Sequence, residues 1–439
     1  MKLSIPDIAM WRDFNEPGAF IIIMLDSILA VAENARCEAA GPCRAVAKCS
    51  RNEIAMSKHF FELSEFHERQ ARVRKAMVEK QLDALLVFNP INIMYLTGAA
   101  AKAYQVFQCL VFTTEDKPST LMLRLGDVAE MRDLSICEEV RGWGGRKYED
   151  PVAVMKGIVA EKGLLGARIG IELPPYYLSV HNYLKVVAAL PDAKISDQTL
   201  LIERLKFVKS PAELVYIRKA AEIADIGMNS IASALKAGAT EREVAAVAHG
   251  VMMAAGSDSP ASPMNFVSGE RTCYAHGLPT DRVLKRGDFM HIEYGGQYRR
   301  YCSTIARHFS IGEPTKRAME VHDACLDACK AAMEAMRTGA RAEDVHLAAV
   351  ASLREAGLEQ YNLHTTGYGI APGFPPSWGE SINMFYGSED LLEAGMVLSI
   401  EPPVFIHEEK IGGRLIDCVI VKDDGVEVLS RYPAGLQVI

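Results

Sequence analysis

An α/β domain followed by an α+β domain with an internal two-fold repeat is the fold class that this 439-residue sequence predicts. Three observations carry it. Strand-like and helix-like segments alternate through the first half, the pattern of an α/β layer. Capping boxes then open two successive helices. A helix–helix–strand stretch finally occurs twice, and each copy ends in a glutamate.

Length and composition set the frame. A chain of this size exceeds one simple core and divides into domains. Hydrophobic residues make up 49% and charged residues 24%, the balance of an ordinary globular protein. A net charge of -8 with no polybasic run predicts no nucleic-acid partner. The cysteines stand singly, without a CxxC pair, and Cys109 and Cys418 lie in apolar runs. They read as reduced thiols of a cytoplasmic protein, and Cys325 and Cys329, one helical turn apart, as packing. The apolar run Phe20 to Ala32 is too short to span a bilayer and contains Asp26. Asp7, Asp13 and Glu16 precede it, the wrong charge for an export signal, so no membrane partner is expected. Residues 1–55 show no pattern that connects them to the rest of the chain. They are expected to be an extension outside the fold, with the natural start at Met56.

The first domain is assigned to residues 56–205. Apolar positions recur at helical spacing from Phe61 to Lys80. Ala84 to Phe88 reads as a buried strand stopped by Asn89-Pro90. Further strands are expected at Cys109 to Thr113, Thr120 to Leu125 and Arg168 to Glu172. Helices are expected near Val152 to Lys162 and Tyr177 to Ala189. The second domain, residues 206–439, opens at Ser210-Pro211-Ala212-Glu213, an N-cap, a first-turn proline and the acid of a capping box. Thr240 and Glu243 form the next one, starting a helix to about Ala255.

The repeat is legible in register. Ser233 to Val244 (S-A-L-K-A-G-A-T-E-R-E-V) matches Glu334 to Val345 (E-A-M-R-T-G-A-R-A-E-D-V), and Gly256 matches Gly357. The strand G-D-F-M-H-I-E, Gly287 to Glu293, matches G-M-V-L-S-I-E, Gly395 to Glu401. Two modules packed about a pseudo-two-fold axis would bring Glu293 and Glu401 face to face. Paired inward carboxylates serve acid/base chemistry or metal binding. His276, in a Gly-rich turn, is the expected proton carrier beside them.

The run F-V-S-G-E-R-T…H-G-L-P-T-D-R-V-L-K-R-G-D, together with L-E-A-G-M-V-L-S-I-E-P, resembles the pita-bread fold of methionine aminopeptidase, Xaa-Pro dipeptidase and creatinase. N-P-I-N-I-M-Y-L-T-G (Asn89 to Gly98) is similar to the creatinase-type N-terminal domain. The resemblance covers Met56 to the C-terminus. The metallopeptidases of this fold use two Asp, one His and two Glu as ligands. Those positions fall here on Glu293, Thr304, Tyr368, Glu401 and Ile416, and a second active-site His falls on Pro375. Two carboxylates among five make a weak site, so neither a metal nor another cofactor is expected.

Within the fold, E-Y-G-G-Q-Y-R-R-Y (Glu293 to Tyr301) and P-P-S-W-G-E (Pro375 to Glu380) resemble the metal-independent ectoine hydrolase. The creatinase active-site Glu falls on Ala306, which argues against creatine. The resemblance implies hydrolysis of a C–N bond in a small zwitterionic amidine, with His276, Glu293 and Glu401 catalytic. Tyr368, Trp378, Phe374, Tyr298 and Arg307 are the expected substrate contacts. One of Arg299, Arg300, Arg307 and Arg414 is expected to hold a substrate carboxylate. A homodimer is implied as well. Two alternatives stand beside this reading: an Xaa-Pro-type peptidase with a degenerate metal site, and a catalytically dead binding protein.

Overall fold

The computed structural model describes residues 59–114 and 117–439; the 1–55 extension and Met56 lie outside the described residues. The first domain begins with α1 (Leu63–Glu79), then β1 (Ala84–Val87), α2 (Pro90–Thr97), β2 (Cys109–Thr113) and β3 (Thr120–Arg124). It continues with α3 (Val128–Leu134), β4 (Glu139–Trp143), α4 (Pro151–Glu161), β5 (Arg168–Ile171), α5 (Val180–Ala189), β6 (Lys194–Asp197) and α6 (Thr199–Lys206). The sheet order is β4-β3-β2-β1-β5-β6. β1 runs antiparallel to β2 and parallel to β5. β1 is buried along its whole length, as its unbroken apolar run requires.

Asn89-Pro90 does more than stop a strand. Asn89 accepts from the Ile91 N–H and Pro90 takes the first helical position, so α2 starts there, with all eight residues buried. The buried Glu172 carboxylate accepts from the Phe88 and Asn89 N–H groups and from Asn92 Nδ2, fixing this corner. The helix expected from Tyr177 begins instead at Val180, capped by Ser179.

The second domain opens with α7 (Pro211–Ala234) and α8 (Glu241–Ala254), and both capping boxes are formed. Then come β7 (Asn265–Ser268), β8 (Phe289–Tyr298) and β9 (Tyr301–Ser310), followed by α9 (Lys316–Ala335) and α10 (Ala342–Glu355). The chain closes with β10 (Gly367–Phe374), β11 (Ser377–Met384), β12 (Val397–Ile400), β13 (Val404–Ile406), β14 (Ile411–Gly413), β15 (Asp417–Lys422), β16 (Gly425–Val428) and β17 (Gln437–Val438). One sheet, ordered β16-β15-β12-β10-β9-β8-β7, spans the domain. α7 and α8 pack on its β7–β9 half, and α9 and α10 on its β10–β15 half. Each helix pair therefore covers the half of the sheet that carries its own glutamate.

β8 does not end at Glu293. It runs on to Tyr298 and returns as β9 through Arg299 and Arg300, both at positive φ (48° and 69°) between the paired Tyr298 and Tyr301. A two-residue hairpin of this hand needs positive φ at both positions. Gly296 is required where α7 crosses β8: a Cβ there would lie 2.1 Å from the Ala220 carbonyl oxygen.

Candidate active site

Glu293 sits on β8 between Asn265 of β7 and Ala306 of β9. It is 6% exposed, and its Oε2 lies 2.5 Å from Arg414 Nη2. Arg414 is 1% exposed and also donates to the Ala275 carbonyl, which ties the β14–β15 connection to the turn that carries His276. Glu401 follows β12 directly, and its N–H donates to Thr366 O. Burial pushes its carboxyl up to about 8; Arg414 pulls it back and Glu293 pushes it further. The two repeat glutamates thus share one electrostatic neighbourhood with a guanidinium.

Two imidazoles complete the group. His276 is exposed on its turn and meets His364 edge to face, with ring centroids 5.8 Å apart. His364 Nδ1 lies 3.4 Å from Glu401 Oε1. Both histidines are held below the ordinary value: His364 by burial and then the Arg414 charge, His276, though exposed on its turn, by partial desolvation and the same charge. His364, read from the sequence as structural or surface, is a member of the cluster. Its spacing of four from Tyr368, along chain leading into a strand, was the available signal, because alternate residues of extended chain share a side.

The concavity in front has a volume of about 340 Å³, and Asn265, His276, Glu293, Tyr368, Ser377 and Trp378 are among its walls. Trp378 Nε1 donates to the Tyr368 hydroxyl at 3.3 Å, and burial holds that phenol protonated far above neutral pH. Gly295 leaves room for the indole, since a Cβ there would lie 3.0 Å from Trp378 Cζ3.

Three expected substrate contacts lie elsewhere. Arg307 is a core residue, 1% exposed, bonded to Asp417 and to the Ile416 and Tyr432 carbonyls; a guanidinium so saturated has no donor left for a ligand. Phe374 is fully buried at the domain junction, edge-on to Tyr104 and under the Arg300 guanidinium. Tyr298 packs on Tyr216 at the hairpin tip. Arg299 is spent on Phe60 O and the Tyr216 hydroxyl. Of the four arginines, Arg414 alone pairs with a site carboxylate, and it meets a protein carboxylate rather than standing free for a substrate's.

The donor set does not suit the paired metals of this fold's metallopeptidases. Ile416 has no donor atom, Thr304 offers a neutral hydroxyl and Tyr368 a protonated phenol. Glu293 already has a cation at 2.5 Å. Among the described residues, no group of three or more His, Cys, Asp or Glu is arranged to hold a metal.

The comparisons agree with this two-domain fold. Residues 69–208 match the creatinase/prolidase N-terminal domain, and residues 215–423 match metallopeptidase family M24. The chain carries a creatinase-type domain and an M24 domain. The Xaa-Pro dipeptidase of Pyrococcus furiosus is 28% identical over 367 residues, 83% of this chain and 98% of that protein. An uncharacterized peptidase of Staphylococcus aureus is likewise 28% identical over 353 residues, 80% of this chain and 96% of that one. The crystal structure of the prolidase from Pyrococcus horikoshii superposes with a TM-score of 0.74 at 26% identity, covering 85% of this chain and 100% of the other. The pita-bread expectation holds. The expectation of a metal-independent ectoine-type amidine hydrolase does not: the named relatives, matched along nearly their whole length, are dipeptidases and prolidases. The motifs Glu293 to Tyr301 and Pro375 to Glu380 build the β8–β9 hairpin and a wall of the pocket.

Proposed function

We propose that this chain is a hydrolase of the peptide-type C–N bond in short substrates of the Xaa-Pro dipeptide class, with a metal-ligand set that has degenerated. What supports the reading most is the end-to-end match to an Xaa-Pro dipeptidase, with the repeat glutamates retained behind a pocket of dipeptide scale. The side chains offer an acid, a base and a fixed cation. Neutral His276 accepts a proton as water attacks the carbonyl carbon. The developing oxyanion faces the Tyr368 hydroxyl, with the Arg414 charge behind Glu293 rather than in contact with it. Glu401, whose carboxyl burial raises to about 8, gives its proton to the leaving nitrogen. Glu293 holds Arg414 in place. One C–O bond forms, one C–N bond breaks, and one water is consumed.

The free thiols of Cys109, Cys302 and Cys418 suit the reducing cytoplasm. No helix among the described residues is long and apolar enough to cross a membrane. The homodimer implied by the resemblance is part of the same proposal.

The test is release of free proline from a panel of Xaa-Pro dipeptides, run with added Mn²⁺ and with a chelator. The expected rate is high on a plateau bounded below by the depressed His276 and above by Glu401 near pH 8. A panel left intact under all these conditions would overturn the proposal.

A further inference from the structure

A second pocket lies where the two domains meet, behind the wall of the first. Its volume is about 320 Å³, and it is bounded by the Pro174–Tyr177 loop, α6 and β11. Ser377 lines both pockets; Trp378 faces the active one, and Gly379, Glu380 and Ser381 face the other.

Buried charges of both signs gather here. Lys209 Nζ lies 2.5 Å from Glu380 Oε2, and Lys206 Nζ lies 3.5 Å from Glu380 Oε1. The side chains of Lys206, Lys209 and Glu380 are no more than 3% exposed. One carboxylate thus stands between two buried ammonium groups, and Glu380 Oε1 has no hydrogen-bond partner. Among the described residues, Glu380 is the one ion-pair partner of Lys206, at 3.5 Å. Glu172 also feels the Lys206 charge, while its oxygens accept from Phe88, Asn89 and Asn92. The Lys206–Glu380 contact is long, so the Lys206 ammonium keeps room for a closer anion on its pocket side. One helical turn before Lys206, Glu203 uses Oε1 to accept from the Ser381 N–H and has its other oxygen left. Side chains three apart on a helix are neighbours, so an ammonium and a carboxylate stand side by side on α6. Pro174, Pro175, Tyr176 and Leu200 supply an apolar wall beside them.

We propose that this interdomain pocket binds a free α-amino acid as its zwitterion. The ligand carboxylate pairs with Lys206, its ammonium with Glu203, and its side chain lies against the Pro174–Tyr176 wall. Adjacent opposite charges plus one apolar arm are what the pocket offers, and an α-amino acid has the same three parts. The inference does not depend on which bond the active pocket cleaves.

Isothermal titration calorimetry with L-leucine tests it, with 4-methylpentanoate and L-leucinamide as half-ligands. L-leucine is expected to bind saturably to the wild type and to Glu401→Gln. Each half-ligand, and L-leucine on Lys206→Met, should bind at least about tenfold more weakly. Leu200→Trp, an exposed rim substitution that fills the pocket without disturbing the core, should weaken binding similarly. Absence of saturable heat overturns the proposal. So does binding lost in Glu401→Gln but kept in Leu200→Trp, which places leucine in the active pocket, or equal binding of 4-methylpentanoate, which leaves a plain anion site.

Discussion

At the scale of single residues, the site turns on Arg414. A carboxylate pair was legible in the sequence, because both copies of the repeat end in Ile-Glu after the same spacing from a glycine. Its partner was not, since Arg414 comes from a connection outside the repeat and reaches Glu293 only once β14 is folded against the His276 turn. Arg307, its rival in the sequence, carries the same charge, yet the strand pairing of β9 places it in the core against Asp417. Charge alone could not separate them; sheet geometry did. Arg414 also holds Glu401 below the value that burial alone would set. Arg414→Met should therefore raise Glu401 further and move the alkaline limb of the rate profile to higher pH. The same change leaves buried carboxylates without their cation, a loss of about 3–5 kcal/mol. Measured pH–rate profiles and thermal unfolding of the variant check both effects.

At the scale of elements, the repeat predicts its own improvement. α8 and α10 are equivalent helices, with extended N-cap backbones at Thr240 and Arg341. Thr240 closes a capping box, whereas Arg341 makes no side-chain cap and is engaged in an ion pair with Glu343 in which the arginine is half exposed. Exposed ion pairs contribute little, and a threonine cap contributes about 1 kcal/mol. Arg341→Thr should stabilise the protein by about that amount, read as a shift in denaturation midpoint at unchanged slope. Helices with capping boxes or clear periodicity were readable from the sequence. α2 was not, because the residues after Asn89-Pro90 are apolar on every side and show no face for periodicity to reveal. The short β4 and β6, only partly buried along their length, carry no alternation strong enough to detect.

At the scale of the whole molecule, the sheet that presents the glutamates is built on neutral buried histidines. His291 on β8 is held down to about 3, mainly by burial. His308 on β9 lies well below its ordinary value for the same reason, and its Nδ1 sits 2.9 Å from that of His322 on α9. The folded forms resist protonation that the unfolded chain accepts near pH 6.5. Their stabilising contribution is therefore complete above that pH and is lost as the pH falls toward the folded values. Each depressed histidine removes up to about 1.4 kcal/mol per pH unit in this window. Melting temperature should fall steeply from pH 6.5 to pH 5; a flat profile would mean that these histidines are already charged in the fold. The two-domain order was visible in the sequence from alternation and repeat. The junction that creates the interdomain pocket was not, because it depends on Tyr177 of one domain donating to the Phe374 and Pro375 carbonyls of the other.

The measurement that bears most directly on the proposed chemistry is proline release from an Xaa-Pro dipeptide by the wild type and by Glu401→Gln, side by side across pH. The account predicts turnover by the wild type that falls away above about pH 8, and a rate at least about 10²-fold lower at neutral pH in the variant, without that alkaline limb. Equal turnover by the two proteins would contradict it, since the acid would then lie outside the glutamate pair that the repeat delivers.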